Sequence, residues 1–278
     1  MARPVERRGL GLAVPPAGPG VCATCHGPAR DGRRVCWCCR AVSSVLGHEP
    51  GSGPLVVPMA LFRTGDVLHT VLRGYKDAPA VAARRHFSRR VAVHLSSFLG
   101  AHGGCITAAA GSDWDSVAVV PSSARAPGAG HRPRLRACHP LGEVIGAIPW
   151  VSALARIEIG RGTGVAGHLA PDPGAFEVDM GARGRRVLLV DDTWVTGARM
   201  RSAAVALERG GAQVVAMVTA GRAVGAVDTN AANTDAADSN TVPALERWWQ
   251  WAEARGRGAG PVATGRCCLA NCAGERPG

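Results

Sequence analysis

Two groups of side chains in this sequence have the types and spacing that chemistry requires. The first is Cys22-x-x-Cys25 followed, ten residues on, by Cys36-x-x-Cys39. Each Cys-x-x-Cys turn presents two sulfurs on one side of a knuckle, and two knuckles can converge four thiolates on one tetrahedral zinc ion. A redox dithiol or four unliganded thiols are the other readings of this spacing. A four-thiolate zinc site has no open coordination position, so its role is structural or in recognition. Cys38 adjoins the second pair and can substitute for a neighbour, whereas His26 is expected on the surface.

The second group is the run Val187-Leu-Leu-Val-Asp-Asp-Thr-Trp-Val-Thr-Gly-Ala-Arg199. Four apolar residues drive a buried strand into a sheet, and Asp191 and Asp192 then place two carboxylates at its C-terminal end. In open α/β sheets that edge is where ligands bind. A short loop leads into a helix, whose first amides and positive dipole end make an anion site. Carboxylates accept from sugar hydroxyls while amides hold a phosphate, so the pair suits a phosphorylated ribose. The structural alternative is a pair of aspartates that merely ends a strand or caps a helix.

The elements around these groups follow from periodicity. Asp66 onward reads as a helix, with Val67, Val71 and Leu72 at helical spacing and a break at Gly74. A second helix carries Phe87, Val91, Leu95 and Phe98 on one stripe, with Arg84, Arg85, Arg89 and Arg90 off it. After Gly103 and Gly104 short apolar runs alternate with helical segments. Strands are expected at Ser116–Val120, Leu154–Ile159, Val187–Val190 and Gln213–Thr219, with a helix at Ala198–Arg209 stopped by Gly210 and Gly211. Strand, helix, strand of this length is a βαβ unit, hence a parallel sheet. The stretch at Pro50, Gly51, Gly53 and Pro54 reads as a linker. Residues 1–20 and 256–278 read as tails, and 223–241 as a flexible insertion. Leu245, Trp248 and Trp249 fit a helix over 242–255 that caps the core, or else a partner-binding face. Cys267, Cys268 and Cys272 lack a clear fourth donor and read as an unstructured cluster.

The chain has 278 residues, ten cysteines and a net charge of +11, carried almost entirely by arginine because Lys76 is its one lysine. Arginine favours bidentate contact with phosphate, but the surplus itself fits either arginine-biased coding or a polyanion footprint. The opening residues fail as a signal peptide because Pro15 and Pro16 break a short apolar stretch. No apolar run reaches the roughly 18 residues of a membrane span. The expectation is a cytoplasmic protein without membrane insertion, in which a reducing environment favours metal binding over disulfides. A receiver domain is excluded by the distance of Lys76 from the aspartates, and no Gly-x-x-x-x-Gly-Lys run is present for an NTPase loop.

The run from Val187 to Arg199 resembles the phosphoribosyl pyrophosphate (PRPP) motif of type I phosphoribosyltransferases. The resemblance implies that Asp191 and Asp192 contact the ribose hydroxyls, and that Val195, Thr196, Gly197, Ala198 and Arg199 form the 5′-phosphate loop. Two positions depart from the pattern. Val195 replaces a threonine or an acidic base, and Arg199 replaces a small hydroxyl residue, where its guanidinium either strengthens phosphate binding or points to solvent.

A four-cysteine ribbon before such a domain resembles the ComF (competence protein F-like) family, across about residues 21–222. The stretches Gly65–Asp77 and Asp115–Ser122 add to the likeness. It implies a type I phosphoribosyltransferase-like parallel α/β sheet over residues 113–222, a zinc ribbon at 21–42 and a helical segment at 59–104. It also implies a pyrophosphate loop at Pro121, Ser122, Ser123 and Arg125, and Lys76 as a second anion contact. Gly130–Arg134 matches the family's closing loop poorly. The implied ligand is Mg²⁺-PRPP, with structural Zn²⁺ and a link to DNA uptake. Two functions follow as expectations: a phosphoribosyl transferase with an unspecified acceptor, or a zinc-ribbon adaptor binding single-stranded DNA on a retained scaffold.

Overall fold

The computed structural model describes residues 10–30, 32–121, 141, 145, 154–167, 170–225, 242–257 and 268–269. In chain order these form α1 (Trp37–Val45), β1 (Leu55–Pro58), β2 (Leu61–Phe62), α2 (Val67–Asp77), α3 (Val81–Ala110), β3 (Ser116–Val119), β4 (Ala155–Ile157), β5 (Ile159–Arg161), β6 (Phe176–Val178), β7 (Arg186–Trp194), α4 (Ala198–Arg209), β8 (Gln213–Ala223) and α5 (Val242–Arg257).

The chain is α/β. A six-stranded sheet, parallel at every pairing, runs β1-β8-β7-β3-β4, and β2 continues the β1 edge along β8. β7 is central. Val187 to Val190 pair with β3 on one side and β8 on the other, so both ladders of the strand are satisfied and all four side chains are buried. A fully buried Val or Leu contributes about 1.5–3 kcal/mol, and an uninterrupted apolar run is what a doubly covered parallel strand demands.

Alternation along β7 divides the core. Leu188 and Val190 face a layer built from α2, α3 and α5, through Leu68, Val71, Leu95 and Trp249. Val187 and Leu189 face the other layer, where Met200, Ala203 and Leu207 of α4 pack together with Cys22, Cys25, Cys36 and Cys39. The cysteine segment is therefore continuous with the core on the α4 side of the sheet.

Several elements differ from the sequence reading. Leu55–Pro58 is an edge strand rather than linker, paired with Ala216–Thr219. α2 runs through Gly74 without a break because Phe87 of α3 packs onto the bare Cα; a Cβ there would lie 2.2 Å from the Phe87 ring. α3 likewise continues through Gly103 and Gly104 to Ala110, and Gly111 ends it in the left-handed conformation. Residues 10–20 are not a free tail, since Leu12 and Leu61 exchange two backbone hydrogen bonds and Val14 is buried. α5 caps the core with Trp249 and Ala252 buried, and Trp248 Nε1 donates to the Gly20 carbonyl. Residues 1–9, 226–241, Cys267 and Cys272 lie outside the described residues, whereas Cys268 is buried in the α3 layer.

Candidate functional site

The four cysteines come together. Cys22, Cys25, Cys36 and Cys39 are buried, and their sulfurs all lie within 4.8 Å of one another. Cys25 Sγ and Cys36 Sγ are 3.7 Å apart. Four sulfurs held about 2.3 Å from a central zinc are separated by about 3.8 Å, so the donor set fits a tetrahedral ion.

The backbone explains the convergence. The His26 amide donates to the Cys22 carbonyl, closing the first knuckle, and His26 itself takes a left-handed φ of 55° to do so. Cys22 donates to the Gly27 carbonyl and Ala23 to the Arg34 carbonyl, which brings the second knuckle alongside. Cys36 is then the N-cap of α1, whose first turn carries Cys39. The amides of Cys36 and Thr24 donate to Cys22 Sγ at 3.3 and 3.4 Å, the outer-shell bonds that stabilise a thiolate. Hydrogen bonds from Cys25, Cys36 and Cys39 hold the Cys22 thiol well below its ordinary range. His26 is not on the surface: it is buried with Nδ1 against the Pro15 carbonyl at 3.0 Å, and burial lowers its pKa.

The aspartates occupy the C-terminal end of β7, but the strand continues past them to Trp194. Successive residues of a strand face opposite sides, so the doublet straddles the sheet. Asp192 faces α2, where Tyr75 Oη donates to its Oδ2 and Lys76 Nζ pairs with the same oxygen. Asp191 accepts from the Asp192 amide at 2.8 Å and is buried. Burial, reinforced by the neighbouring Asp192 charge, raises the Asp191 carboxyl well above its ordinary value. Burial also lifts the Tyr75 hydroxyl well above its usual range, so it stays protonated and donates.

After Trp194 the chain turns at Val195, Thr196 and Gly197 and enters α4. Gly197 has φ 84°, and a Cβ at this position would lie 2.1 Å from the buried Trp194 ring. Only glycine meets both demands. Thr196 is buried, and its Oγ1 accepts from the Ala198 amide at 3.3 Å. The first turn of any helix leaves N–H groups without intrahelical partners, the feature by which such a turn can receive an anion.

Arg199 does not point freely to solvent. Its Nη2 donates to the Pro121 carbonyl at 2.6 Å and its guanidinium lies 5.7 Å from the Phe176 ring centre, tying the start of α4 to the end of β3. Of the expected pyrophosphate loop, Pro121 is placed here, and Ser122, Ser123 and Arg125 lie outside the described residues. A cleft of about 430 Å³ opens beside the doublet, lined by Phe62, His69, Arg73, Lys76, Thr193 and Val195.

Sequence reasoning missed two contributors. Tyr75 is 117 residues from Asp192, and nothing local marks it as a partner. Arg201 is buried on α4 and reaches the cysteine segment, and a lone arginine among the core-facing positions of a helix was the available signal. Among the described residues no helix is long and apolar enough to cross a membrane. No protein-family model matches the chain, and no curated protein matches it.

Proposed function

We propose that the chain is a phosphoribosyltransferase-like protein of ComF type that binds Mg²⁺-PRPP at the C-terminal edge of its sheet. One observation carries the reading: a central parallel strand ends in Asp191-Asp192 and passes through a left-handed Gly197 directly into the N-terminus of α4. In this reading the backbone amides of residues 195–199 hold the 5′-phosphate and the carboxylates orient the ribose hydroxyls. Pyrophosphate leaves as C1 gains oxocarbenium character, and an acceptor takes its place. Catalysis is then positioning and electrostatics.

The doublet is engaged within the protein, and this shapes the proposal. For a ribose diol to reach Asp192, the Lys76 ammonium must swing off Oδ2 toward the cleft, where it becomes a cation for the pyrophosphate. Lys76 is 29% exposed and has room for that movement. The cysteine centre holds structural zinc and, with no open coordination position, contributes no group to the reacting atoms.

Titration calorimetry with Mg²⁺-PRPP tests the reading. Wild type should bind, and the Asp191→Asn, Asp192→Asn double variant should lose at least about tenfold in affinity, the order of one or two charge-assisted hydrogen bonds. Equal affinities, or no binding by zinc-loaded wild type, would remove the PRPP reading. Salt-sensitive binding of single-stranded DNA would then favour the adaptor function.

A further inference from the structure

The residue that joins the two candidate centres is Arg201. It lies in the first turn of α4, where its amide donates to the Gly197 carbonyl at 2.9 Å and closes the turn that follows the phosphate loop. Its side chain is 3% exposed. Nη1 donates to Ser43 Oγ at 2.6 Å and to the Cys39 carbonyl at 3.4 Å, and Nη2 donates to the Ser52 carbonyl at 3.3 Å. Every one of these acceptors belongs to α1, which carries Cys39 and is capped by Cys36, or to the loop behind it.

We propose that Arg201 is a positioning residue that transmits metal occupancy of the four-cysteine centre to the phosphate loop. The chemistry supplies two reasons. Zinc with four thiolates carries a net charge of −2 and sits in the buried layer that the guanidinium enters, so the loaded centre provides the counter-charge that a desolvated arginine needs. Metal also fixes Cys36 at the N-cap and Cys39 in the first turn of α1, and thereby fixes the Cys39 carbonyl and Ser43 Oγ that receive the guanidinium. Without the ion, the start of α1 loses its anchor, and the Cys39 carbonyl and Ser43 Oγ no longer hold the guanidinium in place. The side chain then withdraws, and it takes the first turn of α4 with it. The loop at residues 195–199 has its amides aligned only when that turn is closed. Coupling is reciprocal, so an anion bound at the loop must tighten retention of the metal by the same factor.

The coupling rests on the PRPP reading only for the identity of the anion. Its primary test is therefore a measurement without ligand. Hydrogen exchange of the amides from Thr196 to Ser202 is followed in the full chain with zinc bound and after chelation. Those amides should exchange at least about tenfold faster without zinc, a typical size for a coupling between sites, while Leu188 to Val190 of β7 stay protected. Arg201→Met with zinc still bound should show the fast exchange of the metal-free protein, and chelation should add nothing further. Arg201→Lys, which keeps the charge but not the fork, should fall between. Ser43→Ala removes the shortest bond alone and gives the same comparison if Arg201→Met does not fold.

Unchanged exchange at Thr196–Ser202 on chelation would overturn the coupling, as would an Arg201→Met protein indistinguishable from wild type. Loosening of β7 together with the loop would overturn it too, since it would mean general unfolding. A parallel titration with Mg²⁺-PRPP separates the two proposals. If zinc-loaded wild type binds nothing, the PRPP reading fails and the exchange result still decides the coupling.

Discussion

The two faces of the sheet handle buried polar chemistry in opposite ways. On the α4 face, four thiols converge on a point from two knuckles and a helix N-terminus, and among the described residues no protein group lies at their centre as a cation. On the α2 face, Asp192 is met by a phenol and an ammonium from one helix, so its charge is satisfied within the protein. A convergent set of like donors is a request for an ion from outside. An acid with its own base and hydrogen-bond donor is a closed unit, and a ligand must compete with it. The four-cysteine centre is accordingly the more legible of the two, and the doublet is the one where the proposed ligand requires movement.

The largest expected effect tests the first half of that contrast. Cys39→Ser removes one of four thiolates from a site where structural zinc has an apparent binding energy of about 10 kcal/mol or more in small zinc modules. Zinc measured by plasma mass spectrometry should fall from one per chain toward none, and the thermal midpoint should drop with it. Full zinc retention would mean that Cys38 or another donor has moved in.

Gly197→Ala comes next and probes how the other region is held. The new methyl meets the Trp194 ring and the backbone is already left-handed, so overpacking and strain together should cost about 3 kcal/mol. Chemical denaturation reads the loss, and zinc content should stay at the wild-type level. Lys76→Met should cost less, about 2 kcal/mol. A broken buried pair typically costs 3–5 kcal/mol, but the Lys76 end is part exposed and screened. If the faces are independent, the loss from Lys76→Met and the loss on chelation should sum within about 0.5 kcal/mol. A clear departure from additivity would show that the two regions share one cooperative unit beyond Arg201.

What the sequence revealed depended on how local the determinant was. The Cys-x-x-Cys pairs, the Val187–Val190 strand and the helix stopped by Gly210 are each decided within a dozen residues, and each is found where the pattern put it. Gly74 was read as a break because glycine weakens an isolated helix, yet Phe87 fills the space that a side chain would take, so packing between two helices overrides the propensity. Leu55–Pro58 was hidden by its Gly and Pro neighbours. A four-residue edge strand is formed by its partner β8 more than by its own composition. His26 looked exposed because the Pro15 carbonyl that receives it comes from a segment with no periodic signal. The union of Tyr75, Lys76 and Asp192 is purely tertiary: helical phase places the first two on α2, and only the sheet order brings β7 beneath them.

The smallest effect sharpens the contrast by acid rather than by metal. His94 of α3 is part-buried with Nε2 3.1 Å from the Ala220 carbonyl on β8, another polar group that the α2 and α3 layer satisfies internally. Burial holds its pKa below the ordinary 6.5, although the bond to Ala220 pulls the other way. Between the lowered folded value and 6.5 the unfolded chain binds more protons than the folded one, so stability rises with pH across that window and is lost as pH falls below about 6.5. Asp191 acts with the opposite sign, because its raised carboxyl pKa favours folding as pH falls. That contribution is common to wild type and His94→Gln and cancels in their difference. Glutamine keeps an Nε2 donor for Ala220 and does not titrate. Urea titrations from pH 7.5 to 5.5 should therefore show the variant gaining on wild type by up to about 1 kcal/mol, since each unit of depressed pKa is worth about 1.4 kcal/mol at most. Chelation should leave that gain unchanged. A difference that is flat with pH would mean that His94 is not held neutral, and that the α3 layer tolerates charge without an ion as the α4 layer does not.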